Sequence, residues 1–125
     1  MSRSHHKISS IAVVFMVQSL ERTRRFYAEA LGLELAVQEG HLLGTLPNGT
    51  ELVFFEGEAV RGTSPQIVFG LEEGGIDDAA EALVANGVQL LTPVSEAPGG
   101  WSVEFGDPDG HPLAFYQDGK LPRRR

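Results

Sequence analysis

An internal echo constrains this chain more than any other feature of its sequence. Leu31-Gly32-Leu33-Glu34-Leu35 has the same pattern as Asn86-Gly87-Val88-Gln89-Leu90, and Pro47-Asn48-Gly49 has the same pattern as Pro108-Asp109-Gly110. The apolar pairs that come after these turns, Leu52 with Phe54 and Leu113 with Phe115, stand at equal distances from them. Turns that fall in the same order at nearly the same spacing point to two copies of one module. A solenoid would need shorter and more numerous units.

In the first copy, the apolar, β-branched run 8–17 reads as a strand buried on both faces. Ser19 can cap a helix over 20–31, along which Leu20, Phe26, Tyr27, Ala30 and Leu31 recur at helical spacing until Gly32 stops it. Residues 33–38 and 41–46 read as a hairpin about Glu39-Gly40, and Pro47-Asn48-Gly49 turns the chain into a strand over 51–56. Residues 58–64 have weak periodicity and read as a linker. In the second copy the order returns: a strand over 66–71, a helix over 76–86 started near Asp77 and stopped by Gly87, a short strand over 88–92, and a closing pair over 101–105 and 112–117. The closing pair is joined by Asp107-Pro108-Asp109-Gly110, a turn in which Pro108 fixes φ, Gly110 accepts positive φ and both aspartates can bond nearby N–H groups. Each copy is therefore βαβββ.

The 125 residues are enough for one compact domain, expected over 8–119 with modules at about 8–57 and 65–117, flanked by a disordered leader (1–7) and a basic tail (120–125). There is no cysteine, so disulfides, thiolate metal sites and a cysteine nucleophile are excluded. No apolar run approaches the roughly 20 residues of a membrane-spanning helix, and the first residues lack the apolar stretch of a signal peptide, so a cytoplasmic protein without a membrane partner is expected. All 17 Asp and Glu lie between Glu21 and Asp118, whereas six of the ten Lys and Arg (Arg3, Lys7, Lys120, Arg123, Arg124, Arg125) lie in the flanks. Residues 8–119 thus carry 4 − 17 = −13. Such a body repels phosphate backbones, so no nucleic-acid partner is expected, and it attracts small cations. Arg123, Arg124 and Arg125 read as a solvated, frayed end.

The paired βαβββ modules, the run Leu20-Glu21-Arg22-Thr23-Arg24-Arg25-Phe26-Tyr27 followed by Leu31-Gly32, and the closing Asp107-Pro108-Asp109-Gly110 together resemble the vicinal-oxygen-chelate superfamily. That superfamily includes glyoxalase I, extradiol dioxygenases, fosfomycin-resistance enzymes and bleomycin-resistance proteins. The resemblance covers residues 8–117 and implies an α+β fold whose two βαβββ modules form curved mixed sheets around a cup. In metal-dependent members four cup-facing positions supply His, Gln or Glu to a divalent ion. Carried across, those positions are Ala12, Val53, Gln66 and Ala114. Alanine and valine have no donor atom, and a catalytic ion needs about three protein donors. Shifting the first strand by one residue offers only Ile11 or Val13, and shifting the last only Leu113 or Phe115. No metal site and no cofactor are therefore expected, and His5, His6, His41 and His111 read as surface histidines.

Strand alternation gives a cup-facing set of Ala12, Val14, Met16, Val53, Phe55, Gln66, Val68, Gly70, Glu104, Ala114 and Tyr116. Val13, Phe15, Leu52, Phe54, Ile67, Phe69, Val103, Phe105, Leu113 and Phe115 then pack on the helices. A mostly apolar face with a few polar groups suits an organic ligand. Phe55 offers a ring, Gln66 and Tyr116 hydrogen bonds, Glu104 a charge for a cation, and Trp101, after Pro98-Gly99-Gly100, a stacking surface. The leading expectation is a metal-free binder of a small organic molecule, similar to bleomycin-resistance proteins. Two enzymatic alternatives stand beside it: a metal-independent isomerase or hydratase with Glu104 as general base, and a metal-dependent lyase or dioxygenase with atypical ligands. Open sheet edges predict a homodimer.

Overall fold

The structure, a computed structural model, describes residues 7–60, 63 and 65–125. Residues 1–6 of the expected leader, with its His5-His6 pair, and residues 61, 62 and 64 of the expected linker lie outside the described residues, whereas Lys7 pairs with Glu72 at 2.8 Å. The chain is an α+β protein of two βαβββ modules: β1 (Ile8–Val17), α1 (Leu20–Leu31), β2 (Ala36–Gln38), β3 (His41–Thr45) and β4 (Glu51–Glu56), then β5 (Gln66–Leu71), α2 (Ile76–Ala85), β6 (Ser95–Ala97), β7 (Gly100–Gly106) and β8 (Pro112–Asp118). It divides into two compact units, residues 12–66 and residues 7–11 with 67–125, so that the boundary falls within β1.

In the first unit the strands run in the order β2-β3-β4-β1, with β1 parallel to β4 and the other pairs antiparallel. Helix α1 starts where expected: the Ser19 hydroxyl accepts the Arg22 N–H at 3.1 Å, and Gly32 closes the helix in the left-handed conformation. Its apolar stripe meets the odd-numbered side of β1 and the even-numbered side of β3 and β4. There Leu35, Leu42 and Phe54 are buried with Phe15, Val17, Tyr27 and Leu52 around them. The Phe54 ring is fully buried, stacked on Phe15 at 4.8 Å and met edge-on by Tyr27 at 4.9 Å. Two expectations change here. Strand β2 begins only at Ala36, because Leu35 turns into the core instead of continuing the ladder. Nor is β1 buried on both faces: Ile8, Ile11 and Met16 are each about half exposed.

In the second unit the order is β5-β8-β7-β6, with β5 parallel to β8. Leu71, Ile76, Ala79, Ala80, Val103, Phe105 and Phe115 form its core between α2 and the sheet. The turn into β8 forms as expected. The Asp107 carboxylate accepts the N–H groups of Asp109 (3.0 Å) and His111 (2.8 Å), and Gly110 sits at φ 85°, a conformation that would strain any other residue. Those His111 contacts, backbone first and then ring, hold the Asp107 carboxyl below its usual range.

Two expectations fail in this unit. The predicted strand over 88–92 is absent, since Leu91 and Thr92 both donate to the one carbonyl of Glu104 and only Leu90 makes a bridge, to Phe105; β6 forms later, after Pro93. Helix α2 starts beside Asp77 as expected, at Ile76, with Gly75 as its cap residue and no side-chain cap bond. The C-terminal arginines are docked rather than frayed. Arg123 donates to Asp77 through two nitrogens at 3.0 and 3.1 Å, Arg124 pairs with Asp78 and Glu81, and Arg125 pairs with Glu73.

Candidate functional site

Each sheet carries its helix on one face, and the family positions lie on the other. In the first unit, pairing places Val14 beside Val53 and Met16 beside Phe55, with Ala12 two residues before Val14 on the same side. Leu43 pairs with Val53, and His41 with Phe55, whose rings are 5.3 Å apart. This face is therefore an apolar surface of half-buried Val14, Val53, Leu43 and Phe55, with an imidazole against its aromatic ring. The sequence leaves His41 as a surface residue, yet the turn at Pro47-Asn48-Gly49, which joins β3 to β4, sets its register opposite Phe55. Gln66, which is half-buried at the start of β5, makes no side-chain hydrogen bond among the described residues.

In the second unit, Ala114 stands between Val68 of β5 and Glu104 of β7, and Tyr116 between Gly70 and Ser102. The structure thus brings Glu104, Ser102 and Tyr116 to one face, as alternation predicts for Glu104 and Tyr116. Ser102, absent from the expected set, joins them as its shared parity with Glu104 requires. The β7 backbone under Glu104 is fixed from one side: Thr92 Oγ1 accepts its N–H at 3.1 Å. Tyr116 donates its hydroxyl proton to the Pro98 carbonyl at 2.8 Å and so ties down the turn before β7. Trp101 is not brought to this face. Being odd-numbered, it points to the helix side, packs at the edge of the core, and lies under the Arg123 guanidinium, 4.1 Å from the ring centroid.

Geometry bears on the donor chemistry of the family positions. Ala12, Val53 and Ala114 offer no donor, and Ala114 is only 2% exposed, so its place is filled by packing rather than left open for a longer side chain. Among the described residues no three His, Cys, Asp or Glu side chains come together as a metal-holding group. The residues present do not fit a divalent ion at these positions, and no chemical step is routed through one.

Residues 7–115 match the family model of the Glyoxalase/Bleomycin resistance protein/Dioxygenase superfamily, and the chain belongs to that superfamily. Among solved structures it is similar to an NAD-dependent benzaldehyde dehydrogenase from Legionella pneumophila, with a TM-score of 0.72 and 16% identity over 86% of this chain and 98% of that one. It is also similar to methylmalonyl-CoA epimerase from Mycobacterium tuberculosis (TM-score 0.71, 14% identity, 94% and 93% covered). A third likeness is to a Mn(II)-bound glyoxalase from Novosphingobium aromaticivorans (TM-score 0.67, 18% identity), where 97% of this chain covers 42% of the other. At these identities the likeness establishes the fold and no activity. Comparison with curated proteins found no match. No helix among the described residues is long and apolar enough to cross a membrane.

Proposed function

We propose that the protein binds a small organic molecule without a protein-held metal, in the manner expected of bleomycin-resistance-like members. The observation that carries this reading is the donor-free side chains at three of the family's four metal positions, Ala12, Val53 and Ala114, with Ala114 packed shut. On the second unit we assign ligand contact to Glu104, which suits a cationic or hydrogen-bond-donating group, and to Tyr116. On the first unit we assign it to Phe55 and Gln66, a ring and an amide set in an apolar face. Binding is favoured over metal-independent isomerisation or hydration by one contact. Tyr116, one of the two groups (with Gln66) expected to stabilise an oxyanion, already gives its proton to Pro98.

The test is calorimetry of the full chain in excess EDTA against a panel of organic cations and planar aromatics, with metal analysis of untagged protein. Binding that survives EDTA, and that weakens about 10- to 100-fold for a cationic ligand in Glu104→Gln, is expected from loss of a charged hydrogen bond. Binding that requires a divalent ion, a stoichiometric retained metal, or no binding by any panel member would overturn it. We propose further a cytoplasmic homodimer. The support is the short β2 and β6 at the outer ends of their strand orders and the exposed Phe26, Leu31 and Val37. A stable monomer at micromolar concentration in sedimentation velocity would refute the dimer.

A further inference from the structure

The C-terminal residues make contacts that ligand binding does not use. The first turn of α2 begins with N–H groups that no helical carbonyl can accept, and its cap residue Gly75 has no side chain. Three of these donors are nevertheless satisfied, and all from the C-terminal end. Pro122 O accepts Gly75 N–H at 2.8 Å, Gln117 Oε1 accepts Ile76 N–H at 2.9 Å, and Arg123 O accepts Asp77 N–H at 3.0 Å. Gln117 is 1% exposed and also donates from Nε2 to Leu121 O at 2.9 Å, so one side chain holds both the helix and the returning chain.

Charge fixes the same segment. Glu73, Asp77, Asp78 and Glu81 cluster around the start of α2, and Arg123, Arg124 and Arg125 are their partners. Arg125 also donates its backbone N–H to Asp78 at 2.7 Å. Arg123 is shared between Asp77 and the face of Trp101, where a guanidinium is attracted to the indole. Close approach is possible because residue 74 is glycine. A Cβ there would come within 2.9 Å of Leu121 Cβ.

We propose that residues 121–125 are an electrostatic strap that closes over Trp101 and the start of α2, and that opens as one unit when its ion pairs are screened, leaving the sheet of that unit folded. The links are not independent. Arg123 contributes a backbone cap, an ion pair in which two of its nitrogens donate to Asp77 Oδ1, and the contact on Trp101, so losing its place removes all three. The arginine side chains are 40–58% exposed, which leaves them open to salt, whereas Val103 and Phe105 beneath are buried. At 1 M salt the screening length falls to about 3 Å. That is no longer than the Arg123–Asp77 and Arg124–Asp78 contacts themselves, each 3.0 Å.

The chain contains one tryptophan, and it lies under the strap, so its emission reports closure directly. The experiment is a NaCl titration of the full chain from about 0.02 to 1 M, reading Trp101 emission and quenching by neutral acrylamide, with far-UV circular dichroism in parallel. A red shift and a rise of about twofold in quenching are expected while the strand signal is unchanged. Arg123→Ala should show the open values at low salt with no further transition, and Arg123→Lys, which keeps the charge but not the fork, should open at lower salt than the parent. Arg22→Ala, on α1, should titrate like the parent. Unchanged Trp101 emission and quenching in the parent across the range would overturn the proposal. So would an undiminished transition in Arg123→Ala, or loss of strand signal together with the opening. The parent titration stands alone if a variant fails to fold.

Discussion

Replacing Gln117 with methionine isolates the one buried polar group on which helix α2 depends. The two side chains have similar volume, so no cavity is made and overpacking is small. What disappears is an acceptor for Ile76 N–H, in a place where Ile76 is 0% and Gln117 1% exposed and water cannot substitute. Leaving a buried donor without a partner costs about 1–3 kcal/mol. The lost donor to Leu121 O adds less, because Leu121 is only partly buried and its carbonyl can turn to water. The expected loss is about 2 kcal/mol, which for a chain of this size lowers the melting temperature by roughly 6–12 °C. Urea and thermal unfolding, followed by circular dichroism and Trp101 emission, measure it. A melting temperature within about 2 °C of the parent would show that Ile76 finds another acceptor and that Gln117 is not the cap on which α2 depends.

Acid should weaken the fold with a definite sign. Arg125 and Arg124 hold the carboxyls of Glu73 and Glu81 below their usual range, and the backbone N–H and ring of His111 do the same for Asp107. Each binds its proton more weakly when folded than when unfolded. The stability it contributes is complete above about pH 5 and is lost as pH falls through the folded values, so the urea midpoint should be level near neutrality and drop below roughly pH 4. Glu81→Gln and Asp107→Asn should each flatten part of that drop, and a midpoint that rises on acidification contradicts the assignment. Placing a glutamate at position 114 should not create a metal site. The position is 2% exposed and faces Glu104 across the strand pair, so Ala114→Glu should cost about 3 kcal/mol, partly recovered in Ala114→Glu with Glu104→Gln, as read by urea midpoints. Tight stoichiometric metal in the single variant would overturn this.

What the sequence disclosed was local. Ser19, Gly32 and the Asp107 turn act on groups within about four residues, and strand alternation placed Phe15, Leu52, Phe54, Val103 and Phe115 on the helix side and Ala114 away from it. The misread strand over 88–92 failed for the opposite reason. Its pattern was adequate, but a strand needs a partner edge, and beside it only Glu104 O and the Leu90 bridge to Phe105 are supplied. The strap was hidden by distance along the chain, since Arg123 meets Asp77 across 46 residues and no local propensity records such a pair.

For function, Trp101 and Glu104 must be separated. They lie three residues apart and read together as parts of one ligand face, yet odd and even positions of a strand look in opposite directions. Trp101 therefore belongs to the strap and the α2 side, and Glu104 to the face that carries Ala114 and Tyr116. The acidic charge divides the same way. The −13 of residues 8–119 suggests a broad attraction for cations, but four of those carboxylates are gathered at α2, where three arginines answer them. In the ligand-binding function proposed above, selection for a cation would rest on the local charge of Glu104 rather than on the net field of the body. On that basis Glu104→Gln should abolish the preference for cations over neutral analogues of the same shape, while Glu81→Gln leaves it unchanged. Equal loss in both variants would restore the field as the cause.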